Sequence, residues 1–401
     1  MKIAMLYELF WPSHGGIENW LYSVCRELSQ RGHSVDLITG RLPDTPKEQI
    51  ISSGFTVKRI DCGGVLQRKY ISGCVNISRQ LLWIPIASMW LRRYGHLYDI
   101  VHAHLQASLL ATALAVEPRR LVWSWHGTYR QVLYEMYSLP RAVWYDLGER
   151  IAIRIPCAAC VTADSYTTVV AREEIRGIRT CMIPVHNGVD CEMFYPASVE
   201  KPPEWGEGFH ILTARRLVYK NGIQFLIQAL PEIIRQRRDI TLIIYGKGPM
   251  EISLRKLAEH LNIANNVRFM GVANHDDMPR LYNAADLIAI PSLMEASSLS
   301  VLEAMACGKP ILTCPVGGIP EVAPEGCVVY AEPGNVESIR KQLQYMLFEM
   351  SDSERKEMGT LAREHVCRNF TWTRAVDRLE RIYKQILNER KSVGSMGKQV
   401  F

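Results

Sequence analysis

Apolar positions in the first part of the chain follow two different periods, which predict strands that alternate with helices. A short apolar run over residues 2–7 predicts a strand, and residues 34–39 predict the next one. Between these strands, a helix that ends at Gly32 has apolar residues at helical spacing, namely Ile17, Leu21, Val24 and Leu28. Such an alternation predicts a parallel sheet with helices on both faces.

The same alternation is clearer in the second half of the chain. Predicted strands cover residues 211–214, 240–245, 266–270, 287–290 and 310–313. Predicted helices cover residues 222–237, 249–261, 276–283, 299–306 and 372–389. The pattern therefore predicts an α/β protein with two doubly wound, Rossmann-like domains.

A proline-rich stretch separates the two halves. Residues 195–208 contain Pro196, Pro202 and Pro203 among charged residues and glycines, which is the composition of a linker. The predicted domains cover residues 1–196 and 197–371. A C-terminal helix with a frayed tail, over residues 372–401, is expected to pack back toward the first domain. Two such domains are expected to face each other across a cleft, with ligands outside the carboxyl ends of the strands.

Composition narrows the class of protein only moderately. Of the 401 residues, 48% are apolar and 22% are charged, which excludes a disordered chain, a collagen-like fibre and a coiled-coil rod. The net charge of +6 is too small to indicate nucleic-acid binding, and we expect none. The 11 cysteines are scattered, and we interpret them, including the pair Cys157 and Cys160, as reduced thiols of a cytosolic protein.

No segment is predicted to cross a membrane. The longest apolar stretch, over residues 81–91, is interrupted by Pro85 and Ser88 and is too short for a bilayer, which needs about 20 residues. The apolar run at the N-terminus is too short for a secretory signal. We therefore expect a cytoplasmic protein that is soluble or lies on the inner face of a membrane.

Two glutamates stand eight positions apart around a predicted helix start. Glu295 lies in the loop after a strand, and Glu303 lies inside the helix that Leu299 opens. The residues before the helix, Ser297 and Ser298, are small, and a helix start offers free N–H groups and partial positive charge to a phosphate. A carboxylate one turn into the helix can accept hydrogen bonds from ribose hydroxyls. The alternative is that Glu303 is a solvated first-turn glutamate.

Two cations follow the strand over residues 211–214. Arg216 and Lys220 could stabilise the negative charge of a diphosphate leaving group, or they could be ordinary surface cations. The chain contains no Asp-x-Asp motif that would hold a metal on a diphosphate, so we expect no metal at this site. His102 and His104 have a spacing that suits a metal, but no acidic or cysteine cluster lies near them, and we interpret both as structural.

Several segments resemble the retaining nucleotide-sugar glycosyltransferases of family four, the group 1 family with the GT-B fold, and they occur along the chain in the same order as in that family. The glutamate pair resembles the family's Glu-x7-Glu motif. The other matching segments are Gly15-Gly16-Ile17-Glu18, Trp125-His126-Gly127, His186-Asn187-Gly188-Val189-Asp190, Arg216-Leu217-Val218-Tyr219-Lys220-Asn221-Gly222, Gly246-Lys247-Gly248-Pro249 and Gly317-Gly318-Ile319-Pro320-Glu321. The resemblance covers about residues 1–385.

The resemblance implies transfer of a sugar from a nucleotide-diphosphate sugar to an acceptor hydroxyl with retention of anomeric configuration. The leaving phosphate is thought to act as the base in this family, so no cofactor and no protein nucleophile are expected. The implied catalytic residues are His126, Arg216, Lys220 and Glu295. The implied donor-binding residues are Gly16, Arg216, Lys220, Glu295, Ser297, Ser298, Leu299 and Glu303. The alternative is a family member that binds a nucleotide sugar without transferring it.

Two departures from the family pattern affect the donor site. Asn221 stands where the family usually has a lysine, and Lys220 lies one position earlier. The family commonly has Gly-Phe-Gly after the first glutamate, whereas this chain has Ala296, Ser297 and Ser298. The identity of the donor sugar is therefore open.

The acceptor is expected to be a glycan or a lipid-linked molecule bound by the first domain. Residues 58–93 contain one acid, Asp61, and seven basic residues: Lys58, Arg59, Arg68, Lys69, Arg79, Arg92 and Arg93. Because apolar residues accompany these cations on a predicted helix, the segment suits an anionic membrane surface. The alternative is that Pro85 breaks the helix and that the apolar residues pack on the sheet.

Overall fold

Two parallel sheets organise the chain in the computed structural model, which describes residues 1–12, 15–62, 77–127, 133–174 and 180–396. The chain divides into two units. The first comprises Met1–Arg130, Tyr137–His186 and Trp372–Phe401, and the second comprises Gln131–Met136 and Asn187–Thr371. The chain therefore leaves the first unit at His186 and returns to it at Trp372, and residues 187–196 belong to the second unit.

The first unit contains an eight-stranded sheet. Its strands are β1 (Lys2–Leu6), β2 (Ser34–Gly40), β3 (Glu48–Ser52), β4 (Phe55–Ile60), β5 (Ile100–His104), β6 (Leu121–Trp125), β7 (Ala159–Thr162) and β8 (Met182–Pro184). Their order across the sheet is β3-β4-β2-β1-β5-β6-β7-β8. All described pairs are parallel except β3 with β4, which form a hairpin.

Helices cover both faces of this sheet, because alternate strand residues are apolar on each side. The helices of this part of the chain are α1 (Gly16–Gln30), α2 (Ile77–Tyr94), α3 (Leu105–Ala113), α4 (Leu133–Met136), α5 (Leu139–Ala152) and α6 (Ser165–Glu174). In β1, Ile3 and Met5 pack with α1, whereas Ala4 and Leu6 pack with α2 and α3. α4 is grouped with the second unit.

The second unit contains a six-stranded sheet that is parallel throughout. Its strands are β9 (Phe209–Ala214), β10 (Ile240–Tyr245), β11 (Val267–Gly271), β12 (Leu287–Ile290), β13 (Ile311–Thr313) and β14 (Val329–Tyr330), in the order β11-β10-β9-β12-β13-β14. Its helices are α7 (Ile223–Gln236), α8 (Glu251–His260), α9 (Met278–Ala284), α10 (Leu299–Ala306), α11 (Ile319–Val322), α12 (Val336–Gln344) and α13 (Asp352–Asn369). The predicted α/β class and the two doubly wound sheets are confirmed.

The last helix, α14 (Trp372–Met396), packs on α1 of the first unit and runs beyond its predicted end at residue 389. The Arg31 guanidinium donates to the Asp377 carboxylate at 2.7 Å. His33 Nε2 lies 2.6 Å from Glu380 Oε1. Apolar residues of α14, including Tyr383, join the core that α1 forms with the sheet.

α2 runs without a break through Pro85, so the alternative in which Pro85 ends the helix is wrong. Trp83 and Leu91 are buried on the sheet side, whereas Pro85 is exposed. A proline removes one backbone donor, and a helix face turned to water loses little by this.

Most described cations of the basic segment 58–93 have partners. Lys58 pairs with Asp36 at 2.8 Å, and buried Arg79 pairs with Glu8 at 3.1 Å. The guanidinium of Arg59 donates to the carbonyl of Trp11 at 3.3 Å. Arg92 and Arg93 are exposed, and Arg68 and Lys69 lie outside the described residues. The segment is therefore a weaker cationic surface than its sequence suggests.

A disulfide joins Cys191 to Cys367, so our interpretation of every cysteine as a reduced thiol is wrong for these two. The bond links the segment that enters the second unit to α13, across 176 positions of sequence. Cys157 and Cys160 are free thiols, as expected, and Cys160 is buried. The sequence did not indicate the pairing of Cys191 with Cys367, because the two residues are far apart in the chain and only the fold brings them together.

We expect the double variant Cys191→Ser/Cys367→Ser to lower the free energy of unfolding by about 2–4 kcal/mol, because a crosslink over a long loop restricts the unfolded chain. Urea unfolding without reductant measures the loss. With dithiothreitol the parent and the variant should unfold alike. Cys181→Ser, at an exposed free thiol, is the matched control and should behave as the parent does in both conditions. An equal midpoint for the parent and the double variant without reductant would contradict the bond.

Candidate active site

Glu295 is the centre of a buried group of charges in the second unit. Its carboxylate forms an ion pair with Arg215, and Lys220 Nζ lies 3.6 Å from Glu295 Oε1. Ser292 Oγ donates to the same carboxylate at 3.3 Å. One negative side chain therefore faces two positive ones, which leaves an excess of positive charge.

Strand topology brings these residues together. Arg215 directly follows β9, and Glu295 lies in the loop after β12, the neighbouring strand. Because the strands are parallel, both carboxyl ends reach the same edge of the sheet. The backbone N–H of Leu293 donates to the carbonyl of Lys220 at 2.8 Å, which joins the two loops directly.

Two glycines allow these loops to approach closely. Gly222 has φ +70°, and a Cβ there would lie 1.8 Å from the carbonyl oxygen of Pro291. Gly317 has φ +56°, and a Cβ there would lie 1.6 Å from the carbonyl oxygen of Glu295. Residues with side chains rarely adopt this backbone conformation and would also clash. The glycines thus maintain the positions of Lys220 and Glu295.

The charges of this group are mutually dependent. Burial raises the pKa of Glu295, but the neighbouring charges of Arg215 and Lys220 and two hydrogen bonds outweigh it and lower the pKa to about 2. Burial lowers the pKa of Lys220 to about 8, although the charge of Glu295 opposes that shift. Near neutral pH the carboxylate is ionised and the ammonium is still mostly protonated.

The start of α10 adjoins this group. Ser298 precedes the helix, and its Oγ accepts from the Arg215 guanidinium at 2.9 Å. Within the described residues, the Ser298 side chain caps no N–H of the helix, whose first residue is Leu299. The carbonyl of Ser297 accepts from the Asn187 amide at 2.6 Å. The uncapped helix start next to two cations is suited to bind an anion.

Glu303 lies inside α10 and is buried, with 8% of its surface exposed, so the alternative of a solvated first-turn glutamate is wrong. The Tyr282 hydroxyl donates to its carboxylate at 3.1 Å, and His275 Nδ1 is 3.9 Å away. Burial raises the pKa of Glu303 to about 8, and the Tyr282 hydrogen bond and the charge of Arg215 oppose this shift only in part. The two glutamates of the motif therefore differ in protonation: Glu295 is ionised and Glu303 retains its proton at neutral pH.

Arg215 is the residue that the sequence analysis missed. The side chain of the predicted Arg216 is exposed, and its carbonyl accepts from the Asn221 amide at 2.7 Å. Asn221 also accepts from Arg215 at 3.1 Å, so Asn221 supports the arginine while Lys220 faces Glu295. The doublet Arg215-Arg216 after β9 is a signal for a cation here, but sequence alone does not indicate which of the two faces inward.

His126, in the first unit, follows β6, is partly buried and adjoins two buried imidazoles of β5, His102 in the middle of the strand and His104 at its carboxyl end. Its Nε2 lies 2.9 Å from His104 Nδ1, and the ring of Trp20 packs against it at 5.4 Å. His102 contacts Tyr383 Oη at 2.7 Å and Ser124 Oγ at 2.8 Å.

Burial lowers the pKa of His126 to about 4 and that of His102 to about 3, and it also lowers the pKa of His104. The three rings are therefore neutral at physiological pH. Among the described residues, no group of three or more histidine, cysteine or acidic side chains is arranged to hold a metal ion. Gly16, the remaining predicted residue, opens α1 of the same unit.

Two family models match the chain in succession. Residues 14–193 match the model described as glycosyltransferase family 4, and residues 197–365 match the model described as glycosyl transferases group 1. Together the two matches span most of both units and leave out the first 13 residues and the last helix, α14.

Curated relatives align over most of their length. One subunit of human phosphatidylinositol N-acetylglucosaminyltransferase is 26% identical over 397 residues, which cover 96% of this chain and 76% of that protein. N-acetyl-alpha-D-glucosaminyl L-malate synthase of Bacillus anthracis is 26% identical over 396 residues, which cover 95% of this chain and 97% of that protein. Among solved structures, sucrose-phosphate synthase of Thermosynechococcus elongatus shares the fold, with a TM-score of 0.82 at 19% identity, over 97% of this chain and 99% of that one.

We expect Arg215→Met to lower the free energy of unfolding by about 3 kcal/mol, because it leaves the buried Glu295 carboxylate without its closest counter-charge. Arg216→Met, at an exposed neighbour, is the matched control and should change stability by less than about 0.5 kcal/mol. Urea unfolding of the two variants measures the difference. Equal stability of the two variants would contradict the inward position of Arg215.

We expect the free energy of unfolding of Glu303→Gln, relative to that of the parent, to increase as the pH rises from about 5 to 8. The folded state of the parent holds a proton that the unfolded state releases, because the pKa of Glu303 is raised to about 8 from its ordinary value of 4.5. The parent therefore loses stability with rising pH in this window, and glutamine, which has no proton to lose, does not. Urea unfolding at pH 5 and pH 8 tests this expectation. A difference between parent and variant that does not change with pH would show that Glu303 is ionised throughout.

Proposed function

This chain belongs to the group 1 glycosyltransferases of family 4, and from that premise we propose that it transfers a sugar from a nucleotide-diphosphate sugar to an acceptor hydroxyl, with retention of anomeric configuration. Its two parallel-sheet units have the GT-B architecture. The observation that carries the proposal is the excess of positive charge at Arg215, Lys220 and Glu295, next to the uncapped start of α10.

The diphosphate of the donor would bind at this cluster. Negative charge builds up on the diphosphate as the glycosidic bond breaks, and the side chains of Lys220 and the exposed Arg216 can neutralise it. Backbone N–H groups at Ser298 and Leu299 can donate to the same phosphates. Arg215 is engaged with Glu295 and Ser298, so its main role is to orient the carboxylate that contacts the sugar.

Glu303 would hold the ribose of the nucleotide. A protonated carboxyl can donate one hydrogen bond and accept others, and ribose hydroxyls can do both. Tyr282 orients the group through its hydrogen bond. For His126 and Gly16 in the first unit, the proposed roles beside the donor rest on the family resemblance alone.

The names of the relatives suggest the donor sugar and the kind of product. Both curated relatives described above are named for N-acetylglucosaminyl groups, one with phosphatidylinositol and one with L-malate. We propose N-acetylglucosamine as the transferred sugar and a glycolipid or cell-surface glycan as the product. The proposed acceptor is therefore a lipid-linked molecule or a glycan, and a soluble hydroxy acid, which would give neither product, is the acceptor class to compare it with in assays.

A thermal-shift screen against UDP-, GDP- and ADP-sugars tests donor binding, because a ligand that binds only the folded state raises the melting temperature. We expect a nucleotide-N-acetylglucosamine to give the largest shift. Glu303→Ala should weaken its binding by about 1.5–3 kcal/mol through the loss of hydrogen bonds to ribose. Glu259→Ala, at an exposed residue of α8, is the control. Unchanged binding by Glu303→Ala would refute the ribose assignment, and the absence of donor hydrolysis or transfer would support a binding protein instead.

We expect transfer to continue in the presence of a chelator. Arg216, Lys220 and the start of α10 supply the positive charge that a divalent cation provides in other sugar transferases. Turnover with and without EDTA measures this. Loss of turnover that Mn²⁺ or Mg²⁺ restores would show that the protein cations are insufficient.

A further inference from the structure

Large apolar side chains form an exposed row along α5. The row consists of Leu139, Val143, Leu147 and Ile151, which are between 44% and 66% exposed. A spacing of four residues places successive members on one side of a helix. The other side of α5 is buried through Ala142 and Ala152. We call these four residues the α5 row.

The neighbouring helix α2 has a similar exposed side. Leu81 is 53% exposed and Met89 is 61% exposed, with the exposed Pro85 between them at the same spacing. Trp144 Nε1 of α5 donates to Gln80 Oε1 of α2 at 2.8 Å, which joins the two helices. The two apolar sides therefore belong to one helical layer of the first unit.

The exposed charges of this layer are mainly positive. They are Arg92 and Arg93 near the end of α2, and Arg141, Arg150 and Arg154 on and just after α5. α2 contains no acidic residue. The acids of α5 are Asp146, which pairs with Arg150 at 2.7 Å, and Glu149, which is buried and accepts from Trp125 Nε1 at 3.1 Å. The apolar row is thus bordered by cations with little acidic compensation.

We propose that this face of α2 and α5 docks on the surface of an anionic lipid membrane. Rows of exposed, large apolar side chains are typical of contact surfaces, and a lipid interface offers apolar chains beneath negatively charged headgroups. Each arginine near such a surface adds to the attraction. A second copy of the chain is a poorer partner, because a two-fold contact uses the same patch on both copies and would bring two sets of these arginines into one interface. Among the described residues, no helix has the length and apolar character that a membrane crossing requires.

The proposal goes beyond the proposed function, because it concerns where the protein binds and not which bond it forms. The sequence predicted the membrane contact at the basic segment 58–93. In the structure this segment contributes α2, whereas the larger exposed apolar surface belongs to α5. A sugar transferred to a lipid-linked acceptor would be delivered at such a surface.

Vesicle flotation tests the docking face with the full chain. The probes are phosphatidylcholine vesicles with and without about one third phosphatidylglycerol, at low and at high salt. We expect the parent to float with the anionic vesicles at low salt. Val143→Ser/Leu147→Ser should reduce the bound fraction at least tenfold, and Arg141→Gln/Arg154→Gln should reduce it about fivefold for each arginine removed.

Ile252→Ser is the matched control, because Ile252 is 71% exposed on α8 of the second unit. It should float as the parent does. The arginine variant changes only exposed side chains, so it keeps the test valid if the serine variant fails to fold. Failure of the parent to float, equal flotation of all variants, or a stable dimer that Val143→Ser/Leu147→Ser abolishes would overturn the proposal. Donor binding, measured by thermal shift on the same variants, should be unchanged, which separates this result from a failure of the proposed function.

Discussion

The second unit depends on a buried carboxylate, Glu295, that is stable only because two cations face it. Removal of a carboxylate from water is costly, and the pKa of Glu295 would rise if it were alone. Arg215 and Lys220 reverse that effect, and each comes from the loop after β9, the strand next to the one that Glu295 follows. The parallel order of the sheet, the close approach at Gly222 and Gly317, and the position of Ser298 all serve this contact. The positive excess that results makes this edge of the sheet suited to the diphosphate that we propose binds there.

The two glutamates of the motif, Glu295 and Glu303, differ in charge. They look equivalent in the sequence, but their surroundings separate them. Glu295 has two cationic side chains facing it, whereas Glu303 has a tyrosine hydroxyl, a histidine ring at 3.9 Å and an apolar core. One carboxyl is therefore charged and the other neutral at the same pH. In the proposed donor site, the charged group lies toward the sugar and the neutral one toward the ribose, where an uncharged hydrogen-bonding group suffices.

In the first unit, burial keeps a group of histidines uncharged, in contrast to the ionised Glu295 of the second unit. His102 and His104 of β5 and His126, just after the adjacent β6, are kept neutral by their surroundings. Tyr383 of the last helix bonds to the first of these rings, so residues almost three hundred positions apart form one hydrogen-bonded group. The return of the chain to this unit at Trp372 is thus part of how this group of histidines is built.

Local pattern in the sequence did not indicate the β3–β4 hairpin, α12 or α13. It did determine β1, α1 and β2 of the first unit, β9–β13 and α7–α10 of the second, the last helix, the two-sheet class and the candidate edge of the second sheet. Periodicity and glycine or proline positions depend on neighbours in the chain, and these elements agree with the structure to within a few residues, as at β10, β12 and α10. Tertiary structure alone decided that Arg215 faces Glu295, that Cys191 bonds to Cys367, and that Arg79 is occupied by Glu8. It also decided which apolar residues of α2 and α5 remain exposed. These outcomes depend on distances between segments remote in sequence, and no local period reports which of two adjacent side chains the folded chain turns inward.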